Sequence, residues 1–297
     1  AIKKASKGFL DMALTPDKAA EITMQPIKEF DMDAAIIFSD ILVIPYAMGQ
    51  ELDYVPGPKL GKFDKKFFEA DMETFIEKCK PVYEAITKVR NTLCHSKSLI
   101  GFAGAPWTLY RYMSGNVMPG HIDEFDGAWM MQRLTDYIVE HLSQQIKAGC
   151  DTVQLFDSWA SAVPASQRRR LIFEPTRLIV EGVRKRGHKQ PIIGFPKGIG
   201  EGLIKFVNVT GVDAVGLDQS VDPVWAHENL PENFPVQGIL DPMSILHAGS
   251  EMYRDIDHIL DAFKSRPHIF NLGHGITPPT PPENVQLMLN HVKRHLS

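Results

Sequence analysis

Seven short apolar runs, each closed by a glycine or a polar residue, divide this chain. They span residues 34–40, 99–104, 152–158, 191–197, 214–218, 234–238 and 268–274. Apolar runs of this length, without clean alternation of polar and apolar positions, are typical of strands buried on both faces of a parallel sheet. The pattern therefore predicts seven parallel strands.

Segments with helical periodicity separate these runs. Thr15-Pro16 is typical of an N-cap followed by proline in the first turn, and it opens a helix predicted to reach about Phe30. The spacing of apolar residues predicts further helices over residues 129–148, 164–186 and 250–264. A helix over residues 71–93 is expected to break or kink at Pro81. The stretch from Met48 to Phe63, with three glycines and two prolines, is interpreted as an ordered loop or hairpin.

The alternation of strand and helix over 297 residues indicates repeated βαβ units with right-handed crossovers. An open doubly wound sheet and a closed (β/α)8 barrel both fit this order. No Gly-x-Gly-x-x-Gly loop and no Gly-Lys-Ser/Thr phosphate loop is present, which favours the barrel. We therefore predict an α/β fold with one somewhat distorted TIM-type barrel domain over residues 1–297. The eighth strand is not identified; it lies upstream of this sequence or inside one of the connections.

Composition limits the function classes. With 44% hydrophobic residues and no Pro/Ser-rich linker, the chain can build one large core. The net charge of −4 is spread out, so no nucleic-acid partner is expected, and no apolar run is long enough to span a membrane. Three isolated cysteines fit a reducing cytosol, so we expect a cytoplasmic protein without disulfides or a zinc site.

In a barrel of this kind, function gathers at the C-terminal ends of the strands. The polar and aromatic residues expected there are Asp40, Pro106, Trp107, Asp157, Ser158, Lys197, Asp218, Gln237, Asp241 and His274. Asp40 is the most informative, because a carboxylate at the mouth of a buried strand is costly unless a cation or hydrogen-bond donor meets it. The alternative for Asp40 is that it caps the next turn.

Several strings of residues, in order along the chain, resemble the uroporphyrinogen decarboxylase family of haem biosynthesis. They lie at residues 36–43, 101–109, 155–158, 216–218, 237–242 and 271–275. The resemblance implies a single (β/α)8 barrel, usually a homodimer, that needs no metal or organic cofactor. It also implies that the substrate is uroporphyrinogen III, whose four acetate carboxyls leave as CO2 to give coproporphyrinogen III.

The resemblance also implies roles for individual residues. Asp40 would accept hydrogen bonds from the pyrrole N–H groups and stabilise a cationic intermediate, because a fixed anion in a low-dielectric cleft does this better than water. Tyr112 matches the tyrosine that orients this aspartate and contacts substrate. Ser158 and His274 match positions that hold substrate carboxylates or assist proton movement.

Four further residues complete the expected substrate site. Phe38 and Phe102 are interpreted as strand-end core residues that also form the apolar floor under the macrocycle, as is Phe156. Lys4 aligns with a basic substrate contact found in some members of the family. Arg111 and Lys197 are cationic candidates near the mouth to which the resemblance assigns no role.

For Tyr112 and Ser158, a purely structural role without substrate contact is the alternative. Tyr112 could be a helix aromatic with a hydrated hydroxyl. Ser158 could cap the helix that follows its strand. For His274, the flanking Gly273 and Gly275 indicate a close approach of the backbone to a ligand.

The chain departs from the family at its start. The family has an upstream arginine- and glycine-rich segment that grips substrate carboxylates, and this sequence opens with the residues that follow it. We expect a protein beginning at Ala1 to decarboxylate poorly and a longer parent chain to be active. Two rival functions stay open: a methyltransferase of the same superfamily, which would need a zinc site of His and Cys, and a catalytically impaired tetrapyrrole-binding protein.

Overall fold

Seven parallel strands form one sheet in the computed structural model, which describes residues 6, 8–54, 57–121 and 124–296. Lys4 therefore lies outside the described residues. The strands of the sheet are β1 Ala34–Ile36, β4 Ser98–Gly104, β5 Thr152–Asp157, β6 Ile192–Pro196, β7 Ala214–Leu217, β8 Val236–Leu240 and β9 His268–Leu272. Each of the seven predicted strands is confirmed.

Two further strands, β2 Leu52–Asp53 and β3 Lys59–Leu60, pair as an antiparallel hairpin. This hairpin confirms the interpretation of the stretch from Met48 to Phe63.

Helices follow most strands. They are α1 Phe9–Ala13, α2 Pro16–Phe30, α3 Val43–Ala47, α4 Met72–Thr92, α5 Pro106–Met113, α6 Glu124–Ala148, α7 Glu174–Lys185, α8 Gly202–Thr210, α9 Pro223–Asn229, α10 Pro242–His247, α11 Ser250–Ala262 and α12 Pro282–Leu296. A π-helical turn, Arg169–Phe173, leads directly into α7. Within the described part of the chain, every helix is too short or too polar to span a lipid bilayer.

The predicted break at Pro81 is wrong, and the alternative of a kink there stays a prediction. Helix α4 continues through Pro81 for 21 residues, and Asp71 caps its start by accepting a 2.9 Å hydrogen bond from Thr74 N–H. Proline removes one backbone hydrogen bond from the helix, but Cys79 and Val82 on either side of it are buried in the core. Tertiary packing therefore holds the helix together across a locally unfavourable residue.

The sheet curls as a barrel does. Its strand order is β1-β4-β5-β6-β7-β8-β9, with every neighbour parallel. Gln154 Nε2 on β5 donates a 2.9 Å hydrogen bond to Gln237 Oε1 on β8, three strands away, so the bond crosses the interior. Within the described ranges this sheet has seven strands rather than eight, and β1 and β9 are its outermost strands. Ile36 on β1 is 45% exposed and Ile269 on β9 is 46% exposed.

Candidate active site

Asp40 lies on a loop, not at the end of its strand. Strand β1 ends at Ile36, and Asp40 comes four residues later, just before α3. Leu42 N–H donates a 2.7 Å hydrogen bond to Asp40 Oδ1, so the turn-capping alternative is correct for one of its two oxygens. A Cβ added to Gly104 would lie 3.0 Å from Ile41 Cβ, which shows that this loop packs on the end of β4.

The Asp40 carboxylate is poorly compensated. Burial raises its pKa, and the Leu42 N–H and the Tyr54 hydroxyl beside it act in the opposite direction. Among the described residues, no Lys, Arg or His nitrogen lies within 4.0 Å of it. A half-buried carboxylate with two neutral donors and no cation attracts a positively charged ligand.

Tyr54 was not singled out from the sequence. Its hydroxyl is the side-chain donor that acts on the pKa of Asp40. It follows β2, and its ring stacks on Phe9 with centroids 4.5 Å apart. Phe9 also lies 5.2 Å from Phe38, so Phe38 joins an aromatic group on the Asp40 side of the mouth. In the described chain the buried Tyr54 hydroxyl lacks an acceptor at normal hydrogen-bond geometry. It is therefore available to reorient toward Asp40 or toward a ligand.

Tyr112 lies on the last turn of α5. Its ring centroid is 6.2 Å from that of Trp159 in an edge-to-face contact. No hydrogen bond joins Tyr112 to Asp40 in the ranges that the structure describes, so its orienting role stays a prediction. Arg111 lies with its guanidinium carbon 4.3 Å from the Trp159 ring centre, a cation–π arrangement.

A buried carboxyl joins this helix to the end of β5. Thr108 Oγ1 donates a 2.6 Å hydrogen bond to Asp157 Oδ1 and accepts one of 3.1 Å from Trp159 N–H. Asp157 Oδ2 is buried with no hydrogen-bond partner among the described residues. Burial raises the pKa of Asp157 to about 7, against which the hydrogen bonds from Thr108 act. At neutral pH this carboxyl is therefore partly protonated.

Ser158 follows Asp157 at the mouth and is half-buried. The 3₁₀ turn after it, Ala160–Ala162, begins at Trp159 and has no side-chain cap. The capping alternative for Ser158 is therefore wrong. Its role in binding a substrate carboxylate is untested and stays a prediction.

A row of phenylalanines crosses three adjacent strands. The ring centroid of Phe102 on β4 is 5.6 Å from that of Phe156 on β5, which is 5.9 Å from that of Phe195 on β6, both edge to face. Phe102 and Phe156 are half-buried rather than enclosed. The row supplies the apolar surface expected from Phe102 and Phe156, and it adds Phe195, which the sequence did not suggest.

His274 lies beyond β9 on the opposite side of the mouth and is exposed. A Cβ on Gly273 would lie 2.3 Å from Gln219 N, whereas Gly275 has open space. The close approach inferred from these glycines is therefore made by the backbone after β7. Partial loss of hydration around the imidazole lowers the pKa of His274, and so does the Lys197 cation; the Asp218 carboxylate acts in the opposite direction.

Lys197 and Asp218 complete this side. Asp218 Oδ2 accepts a 2.6 Å hydrogen bond from Gly198 N–H, and its Oδ1 accepts one of 3.0 Å from Ser220 N–H. Lys197 N–H donates to Asp157 O at 3.2 Å. The backbone around Lys197 is thus held between the ends of β5 and β7.

The described residues contain no group of three or more His, Cys, Asp or Glu placed to hold a metal ion. Cys79 and Cys150 are buried and Cys94 is exposed, each as a free thiol. The His and Cys ligands that a zinc-dependent methyltransferase would need are not assembled in this part of the chain.

The family model and the curated relatives agree on one family. The family model described as Uroporphyrinogen decarboxylase (URO-D) matches residues 1–295. A uroporphyrinogen decarboxylase of Novosphingobium aromaticivorans is 41% identical over 96% of this chain and 87% of its own length. One from Rhizorhabdus wittichii is 42% identical over 99% and 88%. Among solved structures, a methyltransferase from Methanosarcina mazei matches with a TM-score of 0.82 over 96% of this chain and 87% of its own. That likeness, at 16% identity, concerns the fold alone.

Proposed function

This chain belongs to the uroporphyrinogen decarboxylase family, and from that premise we propose that it converts uroporphyrinogen III to coproporphyrinogen III and CO2. Family membership supports the reaction class, a carboxy-lyase acting on a tetrapyrrole. The observation that carries the proposal to individual residues is Asp40, a half-buried carboxylate at the barrel mouth without a cation within 4.0 Å in the described residues.

The reaction needs a fixed anion. Protonation of a pyrrole ring carbon produces a cationic ring, and the bond to the acetate carboxyl then breaks and leaves its electron pair to the ring as CO2 departs. A second proton reaches the former acetate carbon, and one proton leaves the ring, so that each acetate exchanges CO2 for one proton. Asp40 stabilises the cationic stage, because its charge is held in place before the reaction starts.

The other predicted residues have supporting positions. Phe102 and Phe156 present apolar surface to the flat macrocycle, and Ser158 follows Phe156 by two residues, with a hydroxyl that makes no hydrogen bond to the described residues. Tyr112 and His274 are proposed to contact substrate from α5 and from the far side of the mouth. Phe38 borders the Asp40 loop through Phe9.

The test is anaerobic incubation of the full-length protein with uroporphyrinogen III, comparing wild type with Asp40→Asn. The amide keeps the shape and loses the charge, so we expect kcat to fall about 10²–10³-fold, the scale of removing one preorganised electrostatic group. The matched control is Asp222→Asn, because Asp222 is an exposed cap that accepts a hydrogen bond from Trp225 N–H at 2.8 Å and asparagine can keep that bond.

The outcomes separate the alternatives. Release of CO2 by wild type with loss in Asp40→Asn supports the proposal. Binding of coproporphyrinogen without CO2 release by wild type would favour the impaired tetrapyrrole-binding protein. Equal rates for wild type and Asp40→Asn would leave Asp40 as a turn-capping residue only.

A homodimer in the cytoplasm belongs to the same proposal and is supported by the family resemblance. Sedimentation equilibrium of the purified protein, whose chain has a mass of 33.3 kDa, tests the dimer directly. A single species of monomer mass at micromolar concentration would overturn that part.

A further inference from the structure

We propose that Lys197 binds a carboxylate of the substrate, as the cationic counterpart of Asp40 on the other side of the mouth. This inference rests on the proposed function for the identity of the substrate. It adds a specificity-determining residue to which neither the sequence patterns nor the family resemblance gave a role.

The first support is position. Lys197 directly follows β6, at the mouth end of the strand, and is half-buried. Its backbone is fixed on two sides, by its own N–H to Asp157 O at 3.2 Å and by Gly198 N–H to Asp218 Oδ2 at 2.6 Å. The next residue on the β5 side, after Asp157, is Ser158, and on the β7 side the backbone packs against Gly273, next to His274. Lys197 therefore lies between two residues already proposed to contact substrate.

The second support is its unused charge. Asp218 follows the adjacent strand β7, but its carboxylate accepts hydrogen bonds from the N–H groups of Gly198 and Ser220 and from the Ser220 hydroxyl. In the described chain no carboxylate oxygen lies within 4.0 Å of Lys197 Nζ. A half-buried ammonium without a counter-ion binds an anion more strongly than a fully hydrated one does. A carboxylate ligand suits this position, because the Ser158 hydroxyl offers a second donor beside the Lys197 ammonium.

The third support is the electrostatic link to His274. Lys197 and Asp218 are the charged groups that act on this imidazole among the described residues, and the Lys197 cation helps to lower the His274 pKa. This places the Lys197 charge close to His274. A carboxylate held by Lys197 would therefore lie next to the imidazole.

The experiment compares wild type with Lys197→Met, Lys197→Arg and the surface control Lys205→Met, which removes an exposed lysine on α8. We expect Lys197→Met to raise KM for uroporphyrinogen by about ten- to a hundredfold, the scale of one charge-assisted hydrogen bond, with a smaller change in kcat. Lys197→Arg should recover most of the loss, since it restores the charge. Lys205→Met should match wild type.

A second readout needs no substrate. NMR titration of ¹⁵N-histidine-labelled protein, with the His274 resonance assigned from His274→Asn, should show the His274 pKa rising in Lys197→Met toward the ordinary histidine value and unchanged in Lys205→Met. An unaltered KM in Lys197→Met would overturn the carboxylate site, and an unaltered His274 pKa would overturn the juxtaposition. If wild type releases no CO2, the proposed function fails separately, and the titration still tests the position of Lys197.

Discussion

The two sides of the barrel mouth are held in place by different means. On one side, Asp40 lies on a loop positioned by side chains: the Ile41 contact with the end of β4, and the rings of Phe38, Phe9 and Tyr54. On the other, His274 follows a glycine whose backbone packs directly on the backbone after β7. The Asp40 side can adjust through side-chain rotation, whereas the His274 side has a fixed path.

The two sides also differ in charge. Burial favours the neutral form of both groups, since it raises the pKa of Asp40 and lowers the pKa of His274. Among the described residues, the hydrogen-bond donors near Asp40 are neutral, whereas His274 lies near the Lys197 cation. A ligand with a cationic centre and anionic arms complements this arrangement, because it places positive charge at Asp40 and a carboxylate at Lys197. The contrast indicates that the mouth is polarised before any substrate binds.

The largest effect is expected from Gly273→Ala, which tests whether the His274 side is fixed by backbone packing. A Cβ there would lie 2.3 Å from Gln219 N and 2.9 Å from Asp218 C, neither of which can rotate away. We expect a loss of about 3 kcal/mol or more in the free energy of unfolding, at the upper end of overpacking costs. Urea denaturation measures it.

Gly275→Ala is the matched control, because nothing lies within 4 Å of its added Cβ. Its stability should stay within about 0.5 kcal/mol of wild type. Equal destabilisation by the two substitutions would contradict the backbone contact and remove the contrast between the two sides.

The next effect concerns Asp157, which lies between the two sides. Its folded-state pKa, about 7, is above its ordinary value of 3.8. Between these two pH values the folded protein therefore binds more protons than the unfolded chain does. Stability contributed by this group is therefore present at low pH and is lost as pH rises toward 7. In Asp157→Asn this dependence disappears.

We expect the free energy of unfolding of Asp157→Asn, relative to wild type, to increase by about 2 kcal/mol between pH 5.5 and pH 8. Urea denaturation at both pH values measures the difference. Asp33→Asn, at an exposed aspartate, should show no such change. Parallel pH dependence of wild type and Asp157→Asn would show that Asp157 is ionised throughout.

The smallest effect is expected from Tyr54→Phe, which tests whether the Tyr54 side chain influences the ionisation of Asp40. The Tyr54 hydroxyl acts to lower the Asp40 pKa, so its removal raises that pKa further. The acid limb of kcat/KM should move to higher pH, with a loss of about three- to tenfold below its midpoint and little change on the plateau. Tyr253→Phe, at a ring stacked on His291, is the control. An unchanged acid limb of the kcat/KM profile in Tyr54→Phe would show that Tyr54 does not affect the ionisation of Asp40.

Sequence patterns predicted the seven strands because parallel strands buried on both faces need continuous apolar runs. They also located Asp40, Ser158 and His274 near the mouth, because strand ends in a barrel meet there. They missed features that depend on distant partners: Thr108 meets Asp157 across 49 positions, and Tyr54 lies near Asp40 only because its hairpin folds back. The reason for Gly273 was also hidden, since its neighbour Gln219 belongs to another strand connection.

Gly273 shows how selection at neighbouring positions can act on different properties. Residue 273 must have no side chain, because even one methyl group collides with Gln219 N. At residue 274 the exposed imidazole can be exchanged without disturbing the core. A random library over residues 273 and 274 should therefore return glycine at the first position in every folded clone. The second position should vary freely among folded clones and narrow to histidine only after screening for turnover.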